Sequence, residues 1–424
     1  MIYFQKGSVS TRLSDEDLKR GLYSALDILG KRNKVLVIPP DYTRMHSKAG
    51  TLTSLAWSYY KDNLTDILPA LGTHNAMTIH EIQDMFRGVP LELFREHDWR
   101  NDVVTVGTVP GEYVSSITEN KVNYSWPAQL NKLIHQGGHD LILSIGQVVP
   151  HEVIGMANYN KNLFVGTGGS EGINKSHFLG AVYGMERLMG RADNPVRQLL
   201  NYAAEHFIKD MPVVYVHTVI GKEENGKMVV RGLYIGDDIE VFNLAAELSL
   251  KVNFTMLEVP LQKVVVYLDP KEYRSTWLGN KSIYRTRMAM AGGGELIVLA
   301  PGLKEFGEDP EIDRLIRKYG YRSRDIILPA SVTEKELTAN LGAAAHLIHG
   351  CPEGLFSVTY CPGFLTKNEV ENVGFKYAHL EEMMKKYDPS KLKDGFNRLP
   401  GGEVIFFISN PALGLWAEEK RFNT

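Results

Sequence analysis

Short apolar runs alternate with amphipathic segments along almost the whole chain, and this alternation leaves few architectures open. Residues 35–38 (Val-Leu-Val-Ile), 64–71 and 141–146 read as buried strands, each followed by a helix-like stretch. That order is the signature of an α/β fold with a largely parallel sheet. Residues 213–220 and 228–235 flank Asn225-Gly226 and read as a β-hairpin. A second series of strands is expected at 264–268, 296–300, 325–328, 356–360 and 404–408. At 424 residues the chain exceeds one ordinary core. We therefore expect two α/β domains with the active site in the cleft between them. The boundary falls near 258–266, giving domains 1–260 and 261–408, with 409–424 packing back on the first through a terminal helix at 411–420.

Helix ends are marked as clearly as strands. Ser14 precedes Asp17 by three residues and Thr78 precedes Glu81 by three, the spacing of a capping box. Gly30 is placed to stop the first helix.

Several function classes are disfavoured. A net charge of −3 implies no basic face, so nucleic acid is not an expected partner. Cys351 and Cys361 are the only cysteines, which excludes a disulfide framework or a cysteine-rich metal site. The first residues lack a signal-peptide pattern, and no apolar run reaches about 18 residues. A cytoplasmic protein with no membrane partner is the expectation.

In open parallel sheets, ligands bind beyond the carboxyl ends of the strands. Three loops lie there: Asp41-Tyr42-Thr43-Arg44, Gly72-Thr73-His74, and Val148-Val149-Pro150-His151. Of thirteen histidines, His74, His151 and His177 are the better placed. His46, His80, His97, His135, His139, His206, His217, His346, His349 and His379 read as structural or solvated. Lys161, among asparagines, reads as a solvated loop lysine, a phosphate ligand or a covalent attachment point. The glycines from Gly166 to Gly172 fit a turn or an anion nest, and match neither Walker A nor GxGxxG. Gly292-Gly293-Gly294 reads as a tight turn into a strand.

Together and in this order, these pieces resemble the lactate racemase-like family, whose members use a nickel-pincer nucleotide. Asp41-Tyr42-Thr43-Arg44 is similar to the family's Asp-His-Thr-Arg loop, and Gly72 to Thr78 to the loop bearing its first catalytic histidine. His151 and Lys161, ten residues apart, resemble the second catalytic histidine and the cofactor-bearing lysine. His177, sixteen residues on, resembles the nickel-ligand histidine. Tyr284-Arg285 resembles the segment that meets cofactor and substrate, with arginine in place of glutamine and Met288 in place of lysine. The family's Gly-Gly-Arg-Lys is here Asn158-Tyr159-Asn160-Lys161.

The resemblance implies a racemase or epimerase that inverts C2 of a 2-hydroxy acid by hydride transfer. The cofactor would be nickel pyridinium-3,5-bisthiocarboxylic acid mononucleotide, covalently attached at Lys161, with His177 as metal ligand. His74 and His151 would be catalytic, one for each enantiomer. Asp41, Thr43, Arg44, Tyr284 and Arg285 would hold cofactor or substrate. Arg285 points to a sugar acid or dicarboxylate rather than lactate, because a guanidinium clamps a carboxylate. Other proteins make this cofactor and are implied partners, so protein from a host lacking them would carry no cofactor. The rivals are a nicotinamide-dependent sugar-acid oxidoreductase or isomerase, a non-catalytic cofactor-binding protein, and a zinc hydrolase.

Overall fold

The computed structural model describes residues 1–223, 226–412 and 414–423. Asn225, half of the expected hairpin turn, lies outside them. The chain divides into two compact units: Met1–Leu179 with Leu188–Asn253, and Gly180–Arg187 with Phe254–Thr424.

The first unit is built on a six-stranded sheet in the order Ile2–Gly7, Met228–Gly236, Val213–Lys222, Leu141–Gln147, Val35–Ile38, Leu64–Ile67. The last four strands are mutually parallel, and the first two add antiparallel. All four residues of Val35–Ile38 and all seven of Leu141–Gln147 are buried. Strands covered on both faces must read as continuous apolar runs, which is why they were legible. Helix Asp15–Leu29 begins in the expected capping box of Ser14 with Asp17 and ends at Gly30. It buries Leu18, Leu22 and Leu26 on the sheet, each worth about 1.5–3 kcal/mol of apolar burial. On the opposite face, Phe242 of helix Ile239–Asn253 packs against His217 of the sheet.

The second unit holds another six-stranded sheet, in the order Lys376–Tyr377, Phe356–Pro362, Met290–Ala300, Leu261–Tyr267, Val404–Ile408, Gly395–Arg398. All neighbours are parallel except the last pair. Both units are thus α/β.

Three expectations change. Residues 325–328 lie in helix Arg324–Thr333, not a strand. A four-residue apolar run carries no period that separates strand from helix. The expected terminal helix is strand Leu415–Glu418, parallel to Phe254–Leu257, then a short helix Glu419–Phe422, and it belongs to the second unit. Gly292 to Gly294 lie inside the strand Met290–Ala300, where Gly293 takes φ +75°. They form an irregularity within a strand instead of a turn before it. Among the described residues, no helix is long and apolar enough to cross a membrane.

Candidate active site

The three loops leave the carboxyl ends of Val35–Ile38, Leu64–Ile67 and Leu141–Gln147, which are adjacent in the sheet. Asp41 caps the 3-10 turn Tyr42–Ser47. One of its oxygens accepts from the Thr43 amide at 3.2 Å and from the Thr43 hydroxyl. The other lies 2.6 Å from Nδ1 of His74. Burial works against ionisation of Asp41. The His74 and Thr43 bonds, with the charge of Arg44, outweigh it and hold the carboxyl below its usual range. A carboxylate only accepts, so Nδ1 of His74 carries a proton, and in the neutral ring the lone pair lies on Nε2. Gly72 makes the bend possible with φ +58°, and its amide donates to the carbonyl of Gly166 at 2.8 Å.

His151 sits in the short strand Pro150–His151, paired with Gly155–Met156. Its Nδ1 accepts the amides of Val153 at 3.2 Å and Ile154 at 3.4 Å.

The turn before Lys161 is made without glycine. Asn158 and Tyr159 have φ +68° and +60°, consecutive left-handed residues without glycine. Such a conformation costs a non-glycine residue roughly 1–2 kcal/mol. The surroundings hold it. Buried Arg197 donates to the carbonyls of Met156 at 2.7 Å and Asn158 at 3.3 Å and to Oδ1 of Asn160 at 2.5 Å. Tyr159 stacks on Phe242 at 5.2 Å. Beyond Lys161, Asn162 donates to the Ile38 carbonyl at 3.1 Å and the Ser144 hydroxyl at 3.0 Å, tying the turn to two strand ends.

Lys161 is half-buried, and its amine makes no hydrogen bond or ion pair among the described residues. Burial lowers it to about 8, with Arg44 and Arg197 adding to the fall and Glu152 and Asp41 opposing it. His177 lies in helix Ser170–Tyr183, and its Nδ1 donates to the carbonyl of Ile173 at 2.8 Å. A carbonyl cannot donate, so Nε2 keeps its lone pair. Burial and then the charge of Lys161 hold His177 near pKa 4, against the pull of the Ile173 bond. Histidine ligands of metals are usually oriented in this way, through the other ring nitrogen. Among the described residues, no three His, Cys, Asp or Glu side chains are grouped to hold a metal.

Sequence reasoning placed His74, His151, Lys161, His177, Asp41, Thr43 and Arg44 in the first unit, on neighbouring loops or the helix that follows them. Tyr284 and Arg285 lie in helix Lys281–Thr286 of the second unit. Tyr284 donates to Nδ1 of His346 at 2.7 Å, and Arg285 is fully buried. The chain continues from His346 through Tyr321 at 2.9 Å and Thr276 at 2.7 Å to the Phe306 carbonyl at 2.9 Å. Because that carbonyl only accepts, every hydroxyl in the chain donates towards it, and the Tyr284 proton is committed to His346.

Arg197, Asn162 and Glu152 were missed. Nothing distinguishes an arginine on an amphipathic helix from a solvated one until its burial is known. The glycines from Gly166 to Gly172 serve close packing instead of an anion nest. A Cβ on Gly168 would strike the Phe164 carbonyl, and one on Gly169 the Gln129 side chain. An open groove of about 840 Å³ on this unit is lined by Arg12, His46, Lys48 and Asp84, but by neither Lys161 nor His177. Its charges largely pair with one another, as Lys48 does with Asp15 at 2.8 Å.

Residues 20–187 match the family described as lactate racemase N-terminal domain. A crystal structure of a protein from Thermotoga maritima is 26% identical, covers 96% of this chain and 99% of its own, and superposes with a TM-score of 0.80. The lactate racemase apoprotein from Thermoanaerobacterium thermosaccharolyticum has the same fold, at 18% identity, 98% and 94% coverage and a TM-score of 0.71. No curated protein matches. The chain is thus similar to the lactate racemase family through its residues 20–187, as its loops led us to expect.

Proposed function

We propose that this protein is a racemase or epimerase that inverts C2 of a 2-hydroxy acid, using a nickel-pincer nucleotide attached at Lys161 and ligated by His177. The observation that carries the reading is a half-buried lysine amine, with no hydrogen bond or ion pair among the described residues, together with a histidine whose Nε2 lone pair is fixed. An amine held near pKa 8 is partly neutral at physiological pH and is a competent nucleophile for attachment. Nickel accepts imidazole nitrogen well. The residues present therefore fit the group.

When bound, the nucleotide supplies a hydride acceptor and donor. The chain supplies the rest. His74, oriented by Asp41, takes the hydroxyl proton at Nε2. His151 meets the substrate on another loop of the same sheet edge. Arg44 offers a cation to a carboxylate or phosphate, a task that Asp41 leaves to it because both Asp41 oxygens are engaged.

The test is co-production with the nickel-pincer biosynthesis proteins, then C2 hydrogen–deuterium exchange on lactate, malate, 2-hydroxyglutarate and gluconate. Exchange that requires nickel and Lys161 supports the reading. Holo-protein inert across the panel refutes the substrate class.

A further inference from the structure

Arg197 is fully buried, and among the described residues no carboxylate pairs with it. Its three bonds go to neutral acceptors, the carbonyls of Met156 and Asn158 and Oδ1 of Asn160, and its Nε is buried without a hydrogen-bond partner. The rings of Phe242 and Tyr159 lie 4.4 and 5.9 Å from it. Burial draws its pKa down to about 9, which still leaves it charged at neutral pH. Buried Arg287 of the second unit has the ordinary solution, a carboxylate oxygen of Glu186 at 2.6 Å. An unpaired buried charge is costly, and a neutral group of similar shape is commonly as stable or more so. The three bonds alone do not call for a charge. Neutral amides are donors throughout this turn, as Asn162 is to the Ile38 carbonyl and Asn160 to Asn201 at 2.6 Å. The charge therefore needs a beneficiary.

Arg197 acts electrostatically on Lys161, His217, Tyr159 and Tyr215. The last three are buried. Lys161 alone of the four is open to a ligand, and it directly follows the three acceptors that Arg197 holds. The backbone on both sides of it is unusual, with left-handed Asn158 and Tyr159 before it and the π-helical turn Asn162–Gly166 after it. Such π turns concentrate at functional sites. We propose that Arg197 is a positioning residue for attachment at Lys161: its buried, uncompensated cation disfavours a second positive charge beside it and keeps the lysine ready as the free amine. The other charged groups acting on that amine are Arg44 and Asp41 from the 3-10 loop and Glu152 from the loop after Leu141–Gln147, and His177 on its helix feels the lysine in turn. Burial and Arg44 act in the same sense as Arg197, and Glu152 and Asp41 oppose them. Arg44 is partly exposed, so salt or a bound anion weakens its effect. Arg197 is out of reach of both. The proposal rests on Lys161 as the attachment point.

The experiment compares cofactor-free wild type with Arg197→Gln and Arg197→Lys. Each is labelled with acetic anhydride across pH 6–10, and acetylation of Lys161 is followed by peptide mass, with circular dichroism and the unfolding midpoint recorded. Both substitutions remove the guanidinium fork, but only the first removes the charge, so a merely structural role moves both alike. We expect labelling of Lys161 at pH 7 to fall roughly three- to ten-fold in Arg197→Gln, with its profile displaced to higher pH, and to stay within about two-fold of wild type in Arg197→Lys. Equal labelling in all three proteins, or equal displacement in both variants, overturns the proposal. If neither variant folds, the wild-type profile at low and at about 1 M salt decides. A profile that salt leaves in place supports a buried source, and one that relaxes to that of an ordinary lysine overturns it. Failure of the functional reading looks different: wild type co-produced with the biosynthesis proteins would gain no mass at Lys161, whatever the labelling shows.

Discussion

Replacing Asp41 with asparagine should damage the site more than its isosteric size suggests. One oxygen of Asp41 accepts two bonds from Thr43, and the other accepts Nδ1–H of His74. In Asp41→Asn the amide carbonyl has one place to go, the Thr43 donors, so the NH₂ group must face Nδ1 of His74. It then donates, and the ring proton moves to Nε2, where the basic lone pair had been. Loss of a charge-assisted bond alone is worth about 1.5–3 kcal/mol, or roughly 10- to 150-fold in turnover. Adding the wrong tautomer takes the loss to about 10²–10⁴-fold. Asp41→Ala removes the bond without imposing the tautomer, so it should retain more activity than Asp41→Asn. The assay is steady-state turnover on whichever 2-hydroxy acid the panel identifies, with KM measured alongside. Asp41→Asn within about three-fold of wild type, or more active than Asp41→Ala, refutes the reasoning.

Other outcomes follow from the same contacts. Asp41 titrates below its ordinary 3.8 in the fold, so its ionisation stabilises the protein above about pH 4. That contribution is lost as the pH falls from there through the lower folded value, and Asp41→Asn should show a correspondingly weaker acid destabilisation. Arg197→Met leaves the carbonyls of Met156 and Asn158 without a donor, for a loss of about 2–4 kcal/mol. Faster amide hydrogen exchange at residues 156–162 and a lower unfolding midpoint would register it. Lys161 of the cofactor-less protein, labelled with acetic anhydride across pH 6–10 and read by peptide mass, should show an apparent pKa near 8. An ordinary lysine value there would contradict its burial. Tyr284→Phe removes the hydroxyl that donates to His346, and should cost about 1–3 kcal/mol of stability in the second unit.

The parts of the fold that were legible are those where a local rule and the tertiary structure agree. Val35–Ile38 and Leu141–Gln147 are buried on both faces, and the capping residues Ser14 and Thr78 sit at real helix starts. Residues 325–328 were misread because an apolar tetrapeptide has no period of its own. In the site, the loops were found by position at strand ends and by resemblance. The bonds that give them chemistry were not visible. Asp41 was assigned to ligand binding when its contact is His74, 33 residues away in sequence. Asn158 and Tyr159 stand where the resemblance led us to expect glycine, and they hold a left-handed backbone because Arg197 and Phe242 support it. That support comes from residues about 40 and 80 positions later, beyond the reach of any motif.

The most direct test of the central claim is intact-protein mass of the chain co-produced with the nickel-pincer biosynthesis proteins, set beside C2 exchange by the same sample. The account expects an added mass that is absent from Lys161→Ala, located at Lys161 by peptide mapping, and exchange that disappears with it. An unmodified Lys161 in protein made alongside a working biosynthesis system, or undiminished exchange by Lys161→Ala, would contradict it.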